Sequence, residues 1–98
     1  MKKYRYLSPA RSELRDAARY YRERSRLAAL SFVQSVQDAI EQIIEFPESA
    51  PKIRGQVRGK TVSRFPYTLM YRVEKDVVVV LAVAHHKQRP EYWIHRDT

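Results

Sequence analysis

Two adjacent histidines, His85 and His86, stand at the end of a long apolar run, and Lys87, Arg89, Tyr92 and Trp93 follow them closely. Such a cluster can hold an anionic oxygen and can move a proton. Imidazole titrates near neutral pH, and guanidinium groups bind phosphate or carboxylate in a fork. If the strand continues through the pair, the two rings point to opposite faces of the sheet. One histidine then serves any given site, and the two do not share a metal. His95 lies nearby, but no cysteine or close-spaced carboxylate completes a ligand set. No metal site and no cofactor are expected. The chain also lacks a glycine-rich phosphate loop, a GxSxG elbow and an HExxH motif.

The remaining cations fall into two groups. Arg11, Arg15, Arg19, Arg22 and Arg26 recur at helical spacing, which makes a basic stripe beside an apolar one. One reading is a solvated face partly paired with Glu13, Asp16 and Glu23. The other is a track for an acidic partner. Arg54, Arg58, Lys60, Arg64 and Arg72 belong to the sheet region, and with Lys87 and Arg89 they could rim a phosphate site. Phe65, Tyr67, Tyr71, Tyr92 and Trp93 are interleaved with them and could stack on bases, or could simply pack.

The elements that must position these groups are legible in outline. Lys3 to Leu7 alternates basic with aromatic or apolar residues, as a short strand near a sheet edge does. Ser8-Pro9 predicts a helix start, with Ser8 as cap and Pro9 at the first turn. Leu14, Ala17, Ala18 and Tyr21 form the apolar stripe of that helix. Arg24 to Arg26 reads as a short connection. A second helix carries Ala29, Phe32, Val33, Val36, Ile40 and Ile43 on one face and stops near Phe46, before Pro47. Gln56 to Ser63 reads as a weakly patterned strand between turns. Tyr67 to Val73 is a clear strand, with Leu69, Tyr71 and Val73 on one face and Thr68, Met70 and Arg72 on the other. Glu74-Lys75-Asp76 turns into Val77 to Ala84, an unbroken β-branched run that reads as a strand buried on both faces. The expectation is an α+β fold: an N-terminal strand, an antiparallel two-helix hairpin and a three-stranded antiparallel meander, with the helices on one sheet face.

Length and composition set the frame. Ninety-eight residues predict one domain over 1–98. Without cysteine there is no disulfide framework, and a reducing compartment is the easier home. Met1 to Tyr6 is basic but no apolar stretch follows, so it does not read as a secretory signal, and the valine run is too short to span a bilayer. A cytoplasmic protein with no membrane partner is expected. A formal charge of +8, from nineteen Lys and Arg against eleven Asp and Glu, favours acidic partners without choosing among them.

In its order of elements and its motifs the chain resembles the RelE/ParE family of type II toxin–antitoxin toxins, also known as plasmid stabilisation proteins. The matching pieces are Leu7-Ser8-Pro9-Ala10 into Glu13-Leu14, Tyr20-Tyr21, and Phe46-Pro47-Glu48. They continue with Arg64-Phe65-Pro66-Tyr67, Tyr71-Arg72-Val73, Val83-Ala84-His85, and Arg89-Pro90-Glu91-Tyr92-Trp93. The resemblance spans nearly the whole chain. It implies neutralisation by a cognate antitoxin whose segment wraps the toxin, and an acidic amphipathic segment suits Arg11, Arg15, Arg19 and Arg22. Two activities occur on the family fold. RelE-like members cut mRNA on the ribosome, whereas ParE-like members poison DNA gyrase. The pieces around Phe65 and from His85 to Trp93 look closer to the ParE-like branch, which implies inhibition by binding, with Arg64, His85, Lys87, Arg89 and Trp93 as target contacts. Under the nuclease alternative the candidate catalytic residues are Arg72, His86 and Tyr92. A third possibility is a degenerate homologue that only binds antitoxin.

Overall fold

The structure, a computed structural model, describes residues 3–97. Strand β1 (Lys3–Tyr6) runs directly into helix α1 (Ser8–Arg24), and helix α2 (Arg26–Glu45) follows after Ser25 alone. Four strands come next: β2 (Lys52–Arg54), β3 (Val57–Thr61), β4 (Tyr67–Glu74) and β5 (Val77–His85). A short 3-10 turn, Ile94–Arg96, ends the described chain. The sheet order is β1-β5-β4-β3-β2. Strands β2 to β5 form an antiparallel series, and β1 joins the last of them in parallel, Lys3 opposite Val77 and Tyr6 opposite Val80. The expected meander is present, and the three-residue β2 extends it by one edge strand.

The start of α1 differs from expectation. Its cap is Leu7, in extended geometry, with no side-chain hydrogen bond, and Ser8 is already helical. The amide of Leu7 still donates to Val80 in the sheet, while its carbonyl accepts from Arg11. Leu7 thus closes the strand and opens the helix at once, which leaves Ser8 nothing to cap. The second helix keeps its expected cap chemistry: Ser25 Oγ accepts the Ala28 amide at 3.2 Å.

Both helices lie against one face of the sheet. Ala17, Phe32, Val36, Ile40 and Ile43 meet Leu69, Tyr71, Val78, Val80 and Val83 in the main core. Val33, expected on the buried face of α2, is half exposed. The valine strand is covered on its other face as well. There Leu81 and Ala82 pack with Val57 and Trp93. Opposite Met70 and Tyr71 the register slips so that β5 carries one extra residue. This bulge lets Leu81 and Ala82 both face the outer side, and it returns Val83 to the helices.

Candidate functional site

The last turn of the sheet gathers most of the cluster that the sequence singles out. His85 is the final residue of β5 and pairs with Tyr67, their rings edge to face at 5.0 Å. The Lys87 amide donates to His85 Nδ1 at 3.0 Å, which places a neutral ring's proton on Nε2. His86 lies in the turn beyond. Its amide donates to the Pro66 carbonyl, and its Nε2 shares a 3.0 Å hydrogen bond with Thr68 Oγ1. The two imidazoles do lie on opposite sides, His85 beside Tyr67 and His86 beside Thr68. Arg64 belongs to the same end, in the β3–β4 turn, where its φ of 73° puts a non-glycine residue in left-handed geometry. Arg64, Lys87 and Arg89 are exposed, and their side chains have no polar partner among the described residues.

Other candidates are placed elsewhere. Trp93, expected at the target surface, is only 2 % exposed and packs on Val57, Leu81 and Ala82. Its bulk completes the outer core. Arg72 sits near the far end of β4, four residues from Thr68, or roughly 13 Å along an extended chain. Its guanidinium is taken by Asp97 at 2.9 Å and Glu74 at 3.1 Å. Arg72, His86 and Tyr92 therefore do not assemble as one catalytic set. The wider cationic rim is reduced to Arg64, Lys87 and Arg89 at this end, because Arg54, Arg58 and Arg72 are engaged. Arg58 donates to the Glu48 and Ala50 carbonyls, and Arg54 pairs with Glu91.

Tyr92 is tied into a network that the spacing of residues does not announce. Its hydroxyl donates to Glu13 Oε2 at 2.7 Å. Arg96 donates to both Glu13 oxygens and to the Leu81 carbonyl. The Val83 amide donates to Glu13 Oε1 at 3.0 Å. Burial first, then the hydrogen bond to Glu13 and its negative charge, push the Tyr92 phenol well above its ordinary value, and Arg96 offsets this in part. Glu13 reads in sequence as a solvent partner for the arginine stripe. The structure turns it inward instead. An i+3 or i+4 spacing to arginine describes both cases, so only the tertiary fold separates them. Tyr92 is thus a bound donor, poorly placed to become a phenolate base.

Four of the five cations of the expected stripe lie on α1, while Arg26 is the first residue of α2. Arg11, Arg15, Arg19 and Arg22 are all exposed, and of these Arg19 has a loose ion pair with Asp16 at 3.6 Å. The neighbouring helix leaves Leu27, Leu30 and Val33 exposed at three-residue steps. The hairpin therefore offers cations on one helix and apolar side chains on the other. Among the described residues no group of three His, Asp or Glu gathers as a metal would need, and no helix is long and apolar enough to cross a membrane.

Comparison with known proteins agrees with this layout. A solved structure described as the chromosomal ParDE toxin–antitoxin system from P. aeruginosa shares the fold with a TM-score of 0.63, over 87% of this chain and 96% of that one, at 20% sequence identity. No curated protein matches. The family model for the ParE toxin of the type II toxin–antitoxin system, parDE, matches residues 4–90, which include both helices, all of the sheet but Lys3, and the histidine turn. The chain belongs to the ParE toxin family of type II toxin–antitoxin systems.

Proposed function

We propose that the protein is a toxin that arrests growth by binding DNA gyrase, and that a cognate antitoxin neutralises it in the cytoplasm. The family match supports the toxin reading. The observation that favours binding over RNA cleavage is the state of Tyr92 and Arg72. The Tyr92 phenol is held protonated against Glu13, and Arg72 is paired at the other end of β4. A nuclease needs a proton acceptor and a cation converging on one phosphate. Neither group is free to do so: the phenol is tied to Glu13, and the guanidinium to Asp97 and Glu74. Exposed Arg64, Lys87 and Arg89, with His85 beside them, are the groups offered to the target.

The helical hairpin fits the antitoxin. Cations on α1 and apolar side chains on α2 match a segment that carries both acidic and apolar residues. Induction of the chain in bacteria without its antitoxin tests the reading. Filamentation with induction of DNA-damage responses, relieved by gyrase overproduction, is expected. Cleaved message at A-site codons with purified protein and ribosomes would overturn it in favour of the nuclease.

A further inference from the structure

The outer face of the sheet, away from the helices, carries a cleft of about 280 Å³ beside the histidine turn. Its floor is Thr68 and Met70 on β4 with Ala84 on β5, and Ile53 and Trp93 form walls. The volume is just below the range of about 300–1,000 Å³ usual for small-molecule sites, so it suits one ring or one branched chain. The cleft is built rather than incidental. Gly59 lies under Ile53, and a Cβ there would stand 3.0 Å from Ile53 Cγ1 and 3.2 Å from Thr68 Cγ2. The missing side chain lets Ile53 lean over the sheet. An ion pair of 3.3 Å between Arg54, next to Ile53, and Glu91 on the opposite wall joins the two sides.

The chemistry of the lining selects an occupant. The floor and walls are mainly apolar, and Ile53 remains 46% exposed in the free protein. The polar groups of the lining are largely engaged: Thr68 and His86 bond to each other, His85 Nδ1 accepts the Lys87 amide, Gln88 Oε1 accepts the His85 amide, and the Tyr92 hydroxyl donates to Glu13. A nucleobase would need free donors and acceptors for its edges. An apolar anchor needs none and would bury Ile53 and Met70. Arg89 stands on the rim with no carboxylate partner among the described residues, whereas Glu91 is neutralised by Arg54. We propose that this cleft receives one aromatic or large aliphatic side chain that stands beside a carboxylate on a partner protein segment. It lies on the sheet face opposite the helical hairpin and shares Arg89 and His85 with the target contacts proposed above, a reading whose chemistry it specifies.

The test is an amide-shift titration of the whole protein with indole-3-acetate, an aromatic carboxylate, alongside neutral indole and adenosine monophosphate. Indole-3-acetate should shift Thr68, Met70 and Ala84 and the Trp93 side chain. Arg89→Gln should weaken it by about tenfold, near 1.4 kcal/mol, and should leave indole unchanged. Ala84→Leu should block both by filling the floor. If that variant folds poorly, Ile53→Ser should weaken both by removing a wall. Scattered or absent shifts, an unchanged response in Arg89→Gln, or tighter binding of the nucleotide at the same residues would each overturn the proposal. The titration needs neither antitoxin nor target, so its failure leaves the toxin reading intact. Failure of growth arrest likewise leaves the cleft in place.

Discussion

The Glu13 carboxylate accepts the amide of Val83 at 3.0 Å, and so occupies a place in the sheet that a neighbouring strand would otherwise take. Among the described residues, strand β1 pairs with β5 from Val77 to Val80. Beyond that point side chains serve the open edge. Arg96 donates to the Leu81 carbonyl, Glu13 accepts from Val83, and Gln88 Oε1 accepts from His85. An unpaired edge is a template for unwanted pairing, and here it is closed without a strand.

Replacing Glu13 by alanine should therefore destabilise the protein more than its position on a polar helix suggests. The change strands the Val83 amide, the Tyr92 hydroxyl and the Arg96 guanidinium together. The Arg96 and Glu13 side chains are 13% and 20% exposed, so the loss should be about 2–4 kcal/mol, toward the low end for removing one partner of a buried pair. Glu13→Gln keeps an acceptor and should cost less. Denaturant unfolding of both variants gives the comparison, and equal, negligible losses would show that the network is not structural.

Alkaline pH should weaken the fold. The phenols of Tyr6 and Tyr92 are raised above their ordinary 10.0, chiefly by burial, and that of Tyr6 reaches about 12. An unfolded chain loses these protons first. Stability should be fully present below pH 10 and should fall as pH rises toward the folded values. Burial also raises the phenols of Tyr21, Tyr67 and Tyr71, so phenolate absorbance against pH should show five tyrosines ionising late, Tyr6 and Tyr92 the latest, with the unfolding transition. Tyr92→Phe should flatten the decline.

A charge placed in the valine strand should abolish folding. Val79 and Leu81 are fully buried, one strand lying between two apolar layers. An unpaired aspartate at either position should cost several kcal/mol, a large part of the roughly 5–15 kcal/mol available to a domain. Insoluble or unfolded protein is expected. A soluble Leu81→Asp protein with an unchanged melting temperature would contradict the outer layer formed by Trp93.

Charge reversal at Arg11, Arg15 and Arg19 should slow association with the antitoxin and weaken it in part. Exposed ions steer encounter and are screened by salt, while apolar contact with Leu27 and Leu30 is not. Binding kinetics at two salt concentrations separate the contributions. An unchanged association rate would remove the arginine stripe from the interface.

How far these features could be read from sequence depends on whether they repeat. The helix stripes, the alternation of β4 and the valine run are periodic, and periodicity survives without knowledge of contacts. The groups that complete the site do not repeat. Trp93 looks like a surface aromatic until the chain after β5 is seen to fold back over Leu81 and Ala82. Glu13 has the same spacing to arginine as any solvent-facing acid. The bulge at Leu81 is invisible because every residue around it is apolar, so no change of phase marks it. The three residues of β2 are too few to carry a pattern.

The pairing of the first strand with the last has a consequence for how the protein is made. Lys3 is matched to Val77, and Glu13 is bonded to Arg96, 83 positions along the chain. A ribosome that has released both helices has released no sheet for them to pack on. Helix hairpins form from local contacts, but this core closes only through distant ones, and such closure is slow. The nascent chain must hold an exposed apolar hairpin until β5 emerges. During that interval the same face is open to any segment able to cover it, so a binding partner already present could meet the chain before the chain has finished folding.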